Sequence, residues 1–358
     1  MSNKLVKGIL FSLSIAMIVL FHPTPAYALT TGDIDQAQLN FNGSSHISGT
    51  NSVTQTFIPG KNGQLTKIDV EVFANSMPET SNDLQMQLID MDTKAILFST
   101  TLTNQKVREM QEATGYVTFT VDPGVQLAKS RSYGIKLSCS DTTGNLFYEW
   151  ANYTYELPSQ VFGPDQYQNG TLIFTRDNID EIFTGDAVFR TYMIEEKIDQ
   201  SQLKINGSSR IAGTNSVTQT FIPGKNGQLT KVDVNVYADP MPETSNDLQM
   251  QLIDMDTKAI LFNTTLTNQK VREMQEATGY VTFTVDPGVQ LAKSKSYGIK
   301  LSCSDTTGNL YYEWCMYAYG TDQYQNGTLI FSRANIDKIY TGDAVFRTYM
   351  IEATEEID

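Results

Sequence analysis

The chain has 358 residues, 40% of them hydrophobic, a formal net charge of -14 and only two histidines. The length fits two ordinary domains. The acidic balance lacks the basic face that phosphate neutralisation needs, which excludes nucleic acid as an expected partner, and it disfavours anionic membrane surfaces.

In chain order, the first feature is a targeting segment. Lys4 and Lys7 form a positive start, Gly8 to Phe21 is an apolar run too short for an ordinary spanning helix, and Ala26-Tyr27-Ala28 supplies the small residues of a peptidase site. Residues 1–28 are read as a signal peptide. The mature chain is expected to begin near Leu29 and to be secreted. No second hydrophobic span follows, and the acidic C-terminus carries no wall-sorting or lipid signal.

The stretch Asn51 to Val70 returns as Asn215 to Val234 with one change, Ile68 to Val232. The match continues almost unbroken to Trp150 and Trp314. A repeat this long is a whole domain copied rather than a short solenoid unit. The repeats are placed at residues 33–195 and 199–353, on a short link without Gly, Ser or Pro. His46 has Arg210 as its repeat-mate, so a catalytic or metal-binding histidine would exist in one copy only. That argues against zinc hydrolysis and against Ser–His or Cys–His nucleophiles.

Within each copy the texture is strand and turn. Lys67 to Val72, Leu84 to Leu88, Tyr116 to Val121 and Tyr133 to Cys139 all alternate apolar with polar residues, and Asp186 to Ile194 reads as a closing strand. Asn62-Gly63 suits a tight hairpin, and Asp122-Pro-Gly124 and Asp141 to Gly144 read as turns. Leu102 to Ala113 is rich in helix formers and reads as a short helix or ordered loop, with a strand running into a polar loop as the competitor. Strands that are apolar on one face bury it against a second sheet. The expected fold class is all-β, two tandem antiparallel β-sandwich domains of jelly-roll type.

Cys139, Cys303 and Cys315 read as small buried hydrophobes. A Cys303–Cys315 disulfide is the competing reading, although Ala151 in the first copy shows that the fold does not need it. The copies differ most after the tryptophan, where the first has a longer, aromatic-rich loop before Asp165 than the second has before Asp322. Loops vary without consequence, but they also carry specificity.

The opening Asp-Gln, Thr-Gln-Thr-Phe-Ile-Pro-Gly, Ser-Tyr-Gly-Ile-Lys-Leu and the closing Asp-Ala-Val-Phe-Arg-Thr-Tyr together resemble a β-sandwich module common in secreted bacterial proteins. That module is similar to carbohydrate-binding jelly rolls and often accompanies polysaccharide-active enzymes and surface proteins. The resemblance covers both copies but rests on framework motifs, so it carries over no ligand residue. Such jelly rolls often carry a structural calcium, and by that analogy alone Asp90-Met-Asp92 and Asp254-Met-Asp256 could supply oxygen ligands; the full calcium-loop pattern is missing, and the competing reading is ordinary Asp-rich hairpin tips. No other cofactor is expected.

The candidate ligand-binding residues are Trp150, Tyr153, Tyr167 and Asn169, with Trp314, Tyr317, Tyr324 and Asn326 as their repeat-mates. A sugar ring stacks on a flat aromatic face while amides bond its hydroxyls. Half of these aromatics are equally readable as core. Glu149 and Glu313 lack an identifiable second carboxylate, so no hydrolase is assigned. The expectation is a secreted, non-catalytic protein recognising cell-wall or other extracellular polysaccharide, with a structural or adhesive surface protein that binds other surface proteins as the alternative.

Overall fold

The computed structural model describes residues 32–74, 82–141, 145–157, 160–161, 164–238, 246–305, 307–318, 322–334 and 336–353. The expected signal peptide at 1–28 and most of the 141–144 turn lie outside them.

The first repeat opens with β1 (Asp33–Gln38), β2 (Gly43–Ser48), β3 (Ser52–Phe57), β4 (Gly63–Val70) and β5 (Val72–Phe73). It continues with β6 (Leu84–Asp90), β7 (Ile96–Leu102), helix α1 (Asn104–Thr114), β8 (Val117–Leu127) and β9 (Tyr133–Cys139). Then come β10 (Phe147–Thr154), the small hairpin β11 (Glu156–Leu157) and β12 (Gln160–Val161), β13 (Leu172–Arg176), β14 (Ile179–Phe183), β15 (Gly185–Ala187) and β16 (Phe189–Glu195).

The second repeat runs through β17 (Lys197–Gln202), β18 (Gly207–Ala212), β19 (Ser216–Phe221), β20 (Gly227–Val234) and β21 (Val236–Ala238). After these come β22 (Leu248–Asp254), β23 (Ile260–Leu266), α2 (Asn268–Thr278), β24 (Val281–Leu291) and β25 (Tyr297–Cys303). It closes with β26 (Tyr311–Tyr317), β27 (Leu329–Arg333), β28 (Ile336–Tyr340), β29 (Asp343–Ala344) and β30 (Phe346–Glu352).

Each repeat is all-β apart from its one helix, and its sheets are antiparallel. In the first, a four-stranded sheet β1-β16-β4-β8 lies against a six-stranded sheet β14-β13-β3-β9-β6-β7, with Phe57 of one meeting Phe189 of the other at 6.2 Å between ring centres. A third small sheet, β15-β10-β2 with β5 also on β10, closes one end. The second repeat has these three sheets in the same order. Each has its own core, drawn from residues 47–189 and Met193 in the first and 211–346 and Met350 in the second. The period-two runs explain this: Leu84, Met86 and Leu88 are fully buried, and Gln85 between them is exposed.

The helix-rich stretch is a helix. Thr103 caps it, its Oγ1 accepting the Lys106 N–H, and Gly115 closes it at φ 75°, donating its N–H to Gln111 O. Val107 is its buried anchor, and Asn104 Nδ2 donates to the Tyr148 hydroxyl at 3.1 Å.

Two local expectations are corrected and one competing reading is set aside. Asn62-Gly63 is not a hairpin, because β3 and β4 belong to different sheets. A Cβ on Gly63 would lie 2.1 Å from Ile194 O, so the glycine serves close approach of β4 to β16. Asp122-Pro-Gly124 sits inside β8 as a bulge, opposite a register shift between Leu65 and Lys67. Cys303 and Cys315 are both free and buried in neighbouring strands of the chain, so the disulfide reading fails.

The closing strand is two pieces. β15 pairs with β10, whereas β16 pairs with β1 and β4, and the chain changes sheets at Val188. The join between repeats is a single residue: β16 ends at Glu195 and β17 begins at Lys197. Glu196 between them donates its N–H to Asn62 O and pairs its carboxylate with Lys231 Nζ at 2.8 Å.

Candidate functional site

Trp150 and Trp314 are fully buried. Each indole N–H donates to a backbone carbonyl at the sheet-changing residue, Val188 O and Val345 O, at 2.9 Å. Neither ring offers a face to a ligand, so the stacking role expected of them is corrected: they are core. Tyr167 and Tyr324 are also buried, edge-on to Phe189 and Phe346, and each hydroxyl donates to a glutamine, Gln36 and Gln200, at 2.9 Å. Tyr153 and Tyr317 are half-buried in β10 and β26, and Asn169 and Asn326 are exposed. The eight residues do not gather into one platform.

Beneath each buried tyrosine lies a polar knot. Asp186 is fully buried and accepts from Gln55 Nε2 at 3.0 Å and from the Tyr167 N–H at 3.2 Å. The same Tyr167 N–H reaches Asp165 Oδ1 at 2.9 Å. Burial, reinforced by the Asp165 carboxylate, pushes the Asp186 carboxyl up to about 7. Asp343, Gln219, Tyr324 and Asp322 repeat the arrangement, and burial raises Asp343 likewise. The partners are backbone and amide groups that fix the sheet change, which is a structural role.

The acidic tips are also satisfied from within. Asp90 is buried, its Oδ1 accepting the N–H groups of Asp92 and Thr93 at 3.0 Å while Arg131 Nη2 lies 2.6 Å from Oδ2. The Thr93 N–H is the largest influence holding its carboxyl below the usual range. Asp254 is built the same way, with Lys295 3.9 Å away. Among the described residues no three acidic, histidine or cysteine side chains converge on a common point.

One concave feature with convergent polar groups lies in the first repeat, where β2 and β10 of the small sheet face β13 and the edge strand β14. This groove has a volume of about 320 Å³, within the small end of ligand pockets. Ser44, Ser45 and His46 line one side, Asn152 and Thr154 the floor, and Phe174, Arg176, Glu181 and Phe183 the other. Asn152 Nδ2 donates to Ser45 Oγ, and Thr154 Oγ1 donates to Asn152 Oδ1 at 3.3 Å, which fixes the floor. Phe174 and Phe183 meet edge to face at 5.0 Å. His46 stacks on Phe147 and lies 2.8 Å from Glu149, so that glutamate is engaged at the rim. Among the described residues, Ser44, Arg176 and Glu181 have no side-chain hydrogen bond or ion pair. An unclaimed guanidinium, carboxylate and hydroxyl beside aromatic rings are suited to a small polyhydroxylated ligand.

The second repeat keeps the register but not the chemistry. Met316 and Ala318 stand where Asn152 and Thr154 stand, and Arg210, Lys338 and Tyr340 replace His46, Glu181 and Phe183. Arg210 stacks over Tyr311 at 3.8 Å. Sequence reasoning missed Arg176, Glu181 and the groove floor. For the floor and Glu181 the available signal was non-conservative difference between two copies that otherwise differ mildly; Arg176, which is Arg333 in the second copy, carried no such signal.

No protein-family model matches the chain, and no curated protein matches it. Among solved structures, the VP2 subviral particle of infectious bursal disease virus is similar at 10% identity, with 90% of this chain and 82% of that one covered, at a TM-score of 0.20. The structure of the Gx strain of the same virus is similar at 9% identity, covering 92% and 78%, at a TM-score of 0.19. At these TM-scores the likeness carries no argument.

Proposed function

We propose that this chain is a secreted, non-catalytic glycan-binding protein whose first repeat recognises a polysaccharide segment in the groove between β2–β10 and β13–β14. The observation that carries this reading is the unengaged trio Ser44, Arg176 and Glu181 around a floor fixed by Asn152 and Thr154. Arg176 supplies planar donors and Glu181 acceptors for vicinal hydroxyls, and the Phe174–Phe183 pair supplies an apolar wall for the C–H face of a sugar. The resemblance to secreted carbohydrate-binding jelly rolls supports the same ligand class. The apolar floor and added cations of the second repeat support a different specificity there.

The test is pull-down on insoluble cell-wall polysaccharides and a glycan array, using the mature chain and its Arg176→Ala and Glu181→Gln variants. The expected result is saturable binding that each substitution weakens by about tenfold or more, the worth of one charged hydrogen bond. Binding that neither change affects, or none to any polysaccharide, would count against the groove.

A further inference from the structure

The strands β14 and β28 are the outer members of their six-stranded sheets. Each is five residues long, Ile-Asp-Glu-Ile-Phe and Ile-Asp-Lys-Ile-Tyr. Such an edge presents unpaired backbone groups to any strand that can lie beside it, and soluble proteins usually blunt it with charge, proline or a covering element. Here the charged residues Asp180, Glu181, Asp337 and Lys338 are interleaved with exposed apolar ones. Ile182 is 78% exposed and Ile339 76%, and Ile179, Ile336 and Tyr340 are exposed too.

The two strands differ in charge at one place. Glu181 of β14 is Lys338 in β28. The flanking acids are already engaged, Asp180 by the Thr175 hydroxyl at 2.7 Å and Asp337 by the Ser332 hydroxyl at 2.5 Å. Glu181 and Lys338 have no partner among the described residues. They are left as one free anion and one free cation at the centre of two otherwise closely matching edges.

We propose that the protein assembles head to tail, β14 of one molecule pairing antiparallel with β28 of a second copy. Aligning the strands at their centres sets Glu181 opposite Lys338. It also sets Ile179 opposite Tyr340 and Phe183 opposite Ile336 on the same face, since directly opposed residues share a face. Pairing β14 with itself places Glu181 against Glu181, and pairing β28 with itself places Lys338 against Lys338. Like charges directly opposed disfavour both symmetric dimers. The favoured contact joins two different surfaces, and each molecule carries one of each. A heterologous contact of this kind propagates into an open chain unless its rotation closes a ring. At the opposite edges of the same two sheets, β7 and β23 differ only by Ser99 and Asn263 and carry no charge, so they distinguish no partner.

The test is sedimentation velocity and light scattering on the mature chain across a concentration series. The expected result is a weight-average mass that climbs past the dimer as concentration rises. Lys338→Glu should move the midpoint of assembly up by about tenfold or more, and Glu181→Lys likewise, because each turns an attractive pair into a repulsive one. The double variant Glu181→Lys with Lys338→Glu should restore assembly. Both positions are exposed, so unchanged circular dichroism and melting are expected for all three. A wild type that stays monomeric at its solubility limit overturns the proposal. So does assembly that ignores Lys338→Glu, or a double variant that fails to recover.

Discussion

Gln55 and Asp186 close on each other in the core of the first repeat, both fully buried: Gln55 Nε2 donates to Asp186 Oδ1 at 3.0 Å while Gln55 Oε1 accepts the Ala187 N–H at 2.7 Å. The amide thus holds both the carboxyl and the backbone beside it where β15 gives way to β16. Burial pushes Asp186 up to about 7 from an ordinary 3.8, so the folded form holds its proton more tightly than the unfolded one. Its contribution is fully present below the ordinary value and is lost as pH rises through about 7. Asp343 is raised in the same direction and adds a loss of the same sign above that ordinary value. Melting temperature is therefore expected to decline across this window. Asp186→Asn with Asp343→Asn, which mimic the protonated acids, should flatten the decline. A rising curve in the wild type would contradict the assignment.

Trp150→Ala is a stability variant, not a binding probe. Removing a fully buried indole costs about 3–5 kcal/mol and leaves the Val188 carbonyl with only the longer Glu71 N–H contact at 3.4 Å. Urea denaturation is expected to show a loss of that size in the first transition only.

Gly63→Ala should be costly although it adds one methyl. The new Cβ would meet Ile194 O at 2.1 Å, a backbone atom that moves only if β4 and β16 separate. A loss of about 1–3 kcal/mol is expected, as for overpacking elsewhere. Gly227→Ala should match it, since its Cβ would lie 2.3 Å from Ile351 O.

All three thiols are expected to be silent in the native state. Burial pushes the Cys315 thiol up to about 11, with Glu313 adding to it, and burial raises Cys139 and Cys303 as well. A chromogenic disulfide reagent should report no reactive thiol in buffer and three in denaturant. A native count above zero would show an opening of the β10 or β26 region.

Glu196→Ala removes the carboxylate that Lys231 and the Thr230 hydroxyl share, at a site where both charged partners are largely covered. A destabilisation of the second repeat by about 1–3 kcal/mol is expected from the unpaired lysine, read as an earlier second transition in urea.

The strands were legible because burial on one face imposes a period of two, and Leu84 to Leu88 or Tyr133 to Cys139 carry it plainly. The helix was legible from its composition, and Thr103 and Gly115 cap it as sequence rules ask. Trp150 was misread as a platform, although the parity was present: Tyr148 and Trp150 share a face and both are fully buried, while Glu149 looks the other way to His46. Asn62-Gly63 misled because the same dipeptide serves close strand approach as well as hairpins. The groove was illegible for a different reason. Ser44, Asn152 and the hairpin that carries Arg176 and Glu181 stand far apart along the chain, and only the sheet order brings them together.

The join at Glu196 has a mechanical meaning. With one residue separating the last strand of the first repeat from the first strand of the second, and with that residue anchored to both sides, the halves have little freedom to swivel. In the proposed binding role such a molecule would act as a gauge: a target presenting a feature for each half at the fixed separation engages both, and a target with any other spacing engages one. Lengthening the join would blunt that discrimination while leaving each half's own affinity intact.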